Sequence, residues 1–492
     1  MDEAKTQEFA RLQAGLGTAW LANQPDGDVE HLLVVLPSHS VAESLLAHYG
    51  PRVRALEHRY LVVFLLLHRV PHCEMVFLCS QAPDPEVLAY YDSIATGDGR
   101  PSALSRFHSI VVDDGTSRSV SAKLLDQPQL LEELRGYGRG RPVFIQPWNV
   151  TDLEVNVALR LGAPLHGTSP ELWPLGFKSS GRRIMAEAGV PVPFGREDVR
   201  SVHEVITALD EIQRERPDAV GAVVKLDDSG AGDGNVVIGL RTANGAPATR
   251  QELRGRVEAL PEWYLTDLRS GGVVEELITG PVFRSPSVQL RIDPFGNVIV
   301  LSTHEQVLGG DSGQIFTGCQ FPADPNYAPA IARYAVALGR EYAKRGAVGS
   351  LGVDFAVAGN GEGLWEPFAL EVNLRNGGTT HPTTVLRHLV PGRYDVETGR
   401  WETSDGTPRC YRATDNMVDI AWLGLSPAPV ITAVADAGLA FDHASGTGVV
   451  LHMLSCLAID GRFGLTAIGH TPEHATNLFE ATREAIHAIR LA

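Results

Sequence analysis

Lysine is nearly missing from this sequence. Only five of its 42 basic residues are lysines, at Lys5, Lys123, Lys178, Lys225 and Lys344, so each one invites a specific reason. Cysteine is equally sparse. Cys73, Cys79, Cys319, Cys410 and Cys456 are scattered, odd in number and without metal-type spacing, which argues against a disulfide scaffold and fits reduced thiols in a cytoplasm. Long apolar runs are also lacking. The longest, 61–67, is far short of the roughly 20 residues a bilayer-spanning helix needs. The opening MDEAKTQEFARLQ is acidic and polar, unlike a secretory signal, so a cytoplasmic location without membrane contact is expected. A net charge of −17 with no long basic run argues against nucleic acid as a partner. The Gly-x-Gly-x-x-Gly dinucleotide fingerprint does not follow the first strand-like segment.

What remains is the composition of a soluble enzyme, 44% hydrophobic and 21% charged over 492 residues, too long for a single core. The arginine-, alanine- and glycine-rich makeup suggests a high-GC bacterial gene. Residues 1–175 alternate strand-like segments (HLLVVLPS, EMVFLCS, FHSIVVDDG, RPVFIQPW) with helix-like ones (RALEHRYLVVFLLLHRV, LLDQPQLLEELRGY). That alternation predicts a Rossmann-like parallel sheet flanked by helices. A β-rich, glycine-rich region follows over 176–395, with one amphipathic helix, APAIARYAVALGREYAKR, stopped by Gly346. A smaller α/β segment over 396–492 ends in a helix opened by Thr471-Pro472. The fold class is therefore α/β (α+β), in three domains.

Four stretches carry candidate chemistry. In GFKSSGRRIMAEAGVPVP, Lys178 stands at the start of a helix, where a cation is unfavourable unless an anion compensates it. A solvated lysine is the alternative. In AVVKLDDSGAGDGNVVI, Lys225 closes a strand before a loop holding Gly230, Gly232 and Gly234. Such a loop can turn backbone N–H groups around phosphate oxygens, although a plain hairpin turn also accounts for it. In VVEELITG, Glu275 and Glu276 end an apolar strand ahead of Ile278, either as an edge or as a hinge presenting peptide groups to a purine. The fourth is a hairpin, GVDFAV and ALEVNLRNGGTTHP, joined by the strong turn signal AGNGEG. Its alternation places Glu371, Asn373 and Arg375 on one face, with Asp354 opposite Glu371. That face is either solvated or a bed of hard oxygens for a pair of Mg²⁺ ions about 3.5–4 Å apart, with Arg375 beside it to grip a phosphate.

Taken in order, these stretches resemble the ATP-grasp superfamily of carboxylate–amine ligases over about 175–385. More closely, VVLPS, VVDDGTS, FKSSGRR, HEQVLGG, GQIFTGCQFPA and CYRATDN resemble the pheganomycin-type peptide ligases across nearly the whole chain. The resemblance implies a pre-ATP-grasp domain, a central ATP-grasp domain and a C-terminal domain closing a cleft. It implies ATP held by Lys178, Lys225, the glycine loop and the hinge residues Glu275, Glu276 and Ile278, and two Mg²⁺ ions on Asp354, Glu371 and Asn373. Two positions depart from D-alanine ligase relatives: Val282 replaces a ribose-binding glutamate, and Gly352 replaces an arginine. The cation at the transferring phosphoryl group must then come from Arg375 or Arg291, and biotin carboxylase relatives favour Arg375.

The activity so implied is amide synthesis in peptide natural-product (antibiotic) biosynthesis. ATP phosphorylates the carboxylate of an amino acid, nonproteinogenic by the resemblance, and the N-terminal amine of a peptide attacks the acyl phosphate. Glu305 and His381 are expected either to touch the acyl substrate or the incoming amine, or to be structural. A homodimer is suggested by common symmetry. The rival readings are a biotin-carboxylase-like enzyme and a non-catalytic ATP-binding regulator. No Met-Lys-Met biotin site is present against the first, and retention of all three metal ligands speaks against the second.

Overall fold

The computed structural model describes residues 3–229, 234–309, 315–361, 363–404 and 406–489. Near the N-terminus, strands His31–Leu36, Cys73–Cys79, Phe107–Val111 and Val143–Pro147 form a sheet in which every pairing is parallel. These are the four expected strands. The central one, HLLVVL, is buried along its whole length, as a parallel strand covered on both faces must be. The expected helices differ in detail. RALEHRYLVVFLLLHRV becomes a short α-helix, Arg52–Glu57, running into a 3₁₀ helix, His58–His68, whose 58–67 stretch is buried almost all round. LLDQPQLLEELRGY is split into Val120–Leu125 and Pro128–Tyr137, because Pro128 has no N–H to continue the first helix and is well suited to open the second.

A small antiparallel sheet comes next, ordered Gly195–Arg196, Gly272–Glu276, Gly221–Leu226, Asn235–Gly239. Helices Val202–Glu215 and Arg250–Glu258 pack on it through Val205, Leu209, Ile212, Leu253 and Val257. An 11-stranded sheet follows. Its main path runs from Trp365–Asn373 and Gly349–Gly359 through Pro286–Ile292, Val298–Gly309 and Ile315–Phe321 to Pro408–Val418. Helix Ala328–Lys344 covers one face of this sheet with Ile331, Ala335, Leu338 and Tyr342. Gly339 is where it comes closest: a Cβ there would lie 2.7 Å from Val298 Cγ1.

The C-terminal strands do not make a sheet of their own. Pro408–Val418 pairs with Ile315–Phe321, and Arg462–Gly469 and Gly448–His452 extend the same surface. The boundary drawn at 395/396 falls inside the hairpin of Gly392–Asp395 with Arg400–Thr403. No helix among the described residues is long and apolar enough to cross a membrane.

Burial has a cost at acid pH. His39, His166 and His304 are enclosed, and burial pulls each imidazole down to about 3. These values lie below the roughly 6.5 of an unfolded histidine. Unfolding therefore takes up protons once the pH falls under about 6.5, and stability is lost from there down towards 3. Each residue should cost on the order of 1 kcal/mol at pH 5.5. We expect the thermal midpoint to fall by several degrees between pH 7.5 and 5.5, as scanning calorimetry would record; an unchanged midpoint would contradict the assignment of neutral buried histidines.

Candidate active site

The hairpin of Gly349–Gly359 and Trp365–Asn373 pairs Asp354 with Glu371 and Gly352 with Asn373. Paired residues share a face, so the three oxygen-bearing side chains converge. Asn373 Nδ2 donates to Asp354 Oδ2 and to Glu371 Oε1, both at 3.1 Å. Gln306 Nε2, from strand Val298–Gly309, donates to Asp354 Oδ1 at 2.8 Å. Lys178 Nζ reaches Glu371 Oε2 at 2.6 Å and the carbonyl of Ser229 at 3.2 Å. The anion that the position of Lys178 calls for is thus Glu371 itself.

Two carboxylates set side by side do not both ionise freely. Burial pushes the Asp354 carboxyl up, Glu371 adds to this, and it reaches about 7. Burial acts on Glu371 in the same sense. There, however, Lys178, its hydrogen bond, Lys225 and Asn373 outweigh it, and the group sits at about 2. The Glu371 side chain remains 26% accessible. Two carboxylates and an amide crowded on one face offer hard oxygens of the kind that fit Mg²⁺.

Lys178 opens helix Lys178–Glu187, and Asp227 caps the same turn, accepting from Ser179 N at 2.8 Å and from Ser179 Oγ at 2.7 Å. Lys225 ends strand Gly221–Leu226 and is salt-bridged to Glu275. Glu275 also accepts from Arg182 Nη1 at 2.7 Å, and Arg182 Nε reaches Glu197 at 2.7 Å. Glu275, on the neighbouring strand Gly272–Glu276, is therefore no exposed edge; its side chain is 2% accessible and holds Lys225 in place. Glu276 accepts from Phe194 N at 2.8 Å, while its own N–H bonds Phe194 O. The ladder closes with Leu277 N donating to Gly221 O, and Ile278 lies just beyond it. Gly234 is sterically required: a Cβ would fall 2.4 Å from Ser229 Oγ. Gly230 and Gly232 lie outside the described residues.

The remaining expected residues separate. Arg375 lies with its guanidinium 5.0 Å from the Trp148 ring centroid and close enough to Asp354 to lower its carboxyl pKa. Arg291 pairs with Ser350, four residues along the strand from the Ser287–Asp354 pair, so it stands roughly 13 Å away over Trp20. Glu305 faces away from the cradle, accepting from Asp324 N at 3.0 Å and from the Tyr327 hydroxyl. Its neighbour Gln306 takes the cradle side, because adjacent strand residues alternate. His381 joins a different cluster, with Asp415, His452 and Arg59.

Sequence reasoning missed Asp227, Arg182 and Gln306. Arg182 follows Lys178 at i+4 on one helix face, and Gln306 lies within HEQV, so both carried a usable signal. Asp415, His452 and Arg59 carried none, since they come from three distant segments.

Comparison with known proteins adds an independent finding. Residues 429–482 match the family described as PGM1 C-terminal domain. The chain is 32% identical over 432 residues to an L-propargylglycine–L-glutamate ligase of Streptantibioticus cattleyicolor, covering 84% of this chain and 86% of the relative. It resembles in fold the biotin carboxylase of Campylobacter jejuni in complex with β,γ-ATP, with a TM-score of 0.56 at 14% identity, covering 92% of this chain and 91% of the other. It also resembles the ADP complex of N5-carboxyaminoimidazole ribonucleotide synthetase, with a TM-score of 0.51 at 15% identity, covering 93% and 98%.

Proposed function

Because the chain belongs to the ATP-grasp carboxylate–amine ligases, ADP-forming enzymes that use ATP, we propose that it joins the carboxylate of one amino acid to the amine of another amino acid or a peptide through an acyl phosphate. The observation that carries this reading is the convergence of Asp354, Glu371 and Asn373 on one face with Lys178 Nζ 2.6 Å from Glu371. Carboxylate is a poor electrophile because oxide is a bad leaving group, and phosphorylation supplies a better one. One carboxylate oxygen attacks the γ-phosphorus, the bond to the β-phosphate oxygen breaks, and ADP departs. The amine then attacks the acyl carbon, phosphate leaves with the former acyl C–O bond electrons, and the amine proton passes to solvent or a nearby base.

The chain's own residues position and neutralise. Lys178 and Lys225 face the triphosphate, the segment from Glu276 to Ile278 meets the purine edge, and Arg375 stabilises the transferring phosphoryl group. Asp354, Glu371 and Asn373 would hold two Mg²⁺ ions, which neutralise charge on the triphosphate when bound. The relative's substrates, an amino acid with a short unsaturated side chain and glutamate, favour small amino acids for at least one of the two places. A role in peptide natural-product biosynthesis in a bacterial cytoplasm, with a dimeric chain, is consistent with that chemistry. The test is ADP formation across a panel of amino acids and short peptides. ADP release that needs both a carboxylate donor and an amine acceptor supports the reading, and nucleotide binding without turnover across the panel rejects it.

The arginines can be told apart. Arg375→Lys should lower kcat about 10²-fold or more with little change in the KM for ATP, because a point charge replaces the planar fork. Arg291→Lys should stay within a few-fold of the parent. Steady-state kinetics showing the reverse order would move the role to Arg291.

A further inference from the structure

Away from Asp354, Glu371 and Asn373, a second polar cluster is buried at the junction of the large sheet with helix Thr380–Leu389, and none of the roles proposed above involves it. Asp415 comes from strand Pro408–Val418, His452 from the end of strand Gly448–His452, and His381 from the first turn of the helix. All three are buried, at 6%, 0% and 1% exposure. His381 Nε2 and His452 Nε2 each lie 2.8 Å from the same oxygen, Asp415 Oδ1, and 3.0 Å from each other. Arg59 Nη2 holds the other oxygen, Oδ2, at 3.0 Å.

Protons alone leave this triangle crowded. An imidazole nitrogen carries either a proton or a lone pair. If both Nε2 atoms are protonated, Asp415 Oδ1 can accept from each, but the two hydrogens then converge on one oxygen from nitrogens only 3.0 Å apart and repel each other. If either is bare, its lone pair is aimed at a carboxylate oxygen 2.8 Å away. Among the described residues neither Nδ1 has a hydrogen-bond partner, so none of them fixes either tautomer, and a proton can sit on Nδ1 to leave Nε2 free. A cation placed above the triangle turns each of these repulsions into a bond.

The donors choose the ion. Two imidazoles and one carboxylate form the borderline set that suits zinc, with three protein ligands and one open position, whereas Mg²⁺ prefers the all-oxygen cradle. The spacings are a few tenths of an ångström below the roughly 3.3 Å edge of a tetrahedral set with Zn–N near 2.0–2.1 Å, so the ligands need separate only slightly. Arg59 orients the carboxylate from outside and adds positive charge, so the fourth ligand should be an anion such as hydroxide. We propose that His381, His452 and Asp415 bind one divalent transition-metal ion, zinc by the chemistry of the donors, which ties the C-terminal strands to helix Thr380–Leu389. The site stands independently of the ligase reading.

The test needs no substrate. Full-length protein with its affinity tag removed, purified without chelator and gel-filtered, should contain about one zinc per chain by inductively coupled plasma mass spectrometry. Cobalt replacement should give a visible band of tetrahedral intensity, and a zinc chelator without nucleotide should lower the thermal midpoint by several degrees. Less than about a tenth of an equivalent, both as purified and after incubation with zinc chloride, overturns the proposal. So does undiminished zinc in a folded H381Q/H452Q double variant. If that variant does not fold, the parent's zinc content and cobalt spectrum still decide the matter.

Discussion

Glu371→Gln should leave a folded protein with ADP formation reduced at least about a thousandfold. The substitution keeps the size of the side chain and an oxygen to accept from Lys178, which now donates to Oε2 at 2.6 Å. It removes the negative charge that a bound cation needs, and it turns an amide donor towards Asn373 Nδ2, itself a donor to Oε1 at 3.1 Å. Glu371→Ala is the weaker experiment, because Lys178 is only 8% exposed and would lose its anion, mixing a folding defect with the catalytic one. Matched circular dichroism spectra and a coupled ADP assay separate the two effects. Turnover within tenfold of the parent would remove the metal cradle from the mechanism.

Glu275→Ala should be the most destabilising single change in the nucleotide-binding region. One carboxylate with a side chain 2% exposed serves two buried cations, Lys225 and Arg182. Arg182 retains Glu197 at 2.7 Å and the Pro193 carbonyl at 2.9 Å, while Lys225 is left facing a guanidinium without its anion. Breaking a buried pair in this way costs about 3–5 kcal/mol. At roughly 2–4 °C per kcal/mol for domains of this size, the thermal midpoint should drop by about 10 °C. Lys225→Met on the same background should recover part of it, because the unpaired charge is then gone. A drop under about 2 °C would show that the pair is solvated. ATP affinity should fall in the single variant too, since Lys225 loses the partner that fixes its position.

The cradle was largely legible because it is local. The AGNGEG turn and the alternation of DF and EVN are enough to set Asp354 opposite Glu371, and the register bears this out despite the bulge after Asp354. The glutamates of VVEELITG show how far that logic extends. Their position at the end of a strand could be read from sequence, but whether Glu275 met water or Lys225 could not. Glu305 and Gln306 show the effect of parity: Gln306 turns to Asp354, and Glu305 turns to Asp324 and Tyr327. His381, expected beside a substrate or in a structural role, meets Asp415 and His452, partners 34 and 71 positions along the chain that no local pattern points to.

Sequence by itself determined where the main strands fall and which of their side chains share a face, because alternation and turn chemistry act within a few residues. Tertiary structure alone decided which charges meet. Lys178 with Glu371, Lys225 with Glu275 and Asp415 with its two histidines each pair segments separated by dozens to nearly two hundred positions. No local pattern records such a choice, because it is made when strands order themselves in a sheet and burial favours the arrangement in which these charges meet their opposites.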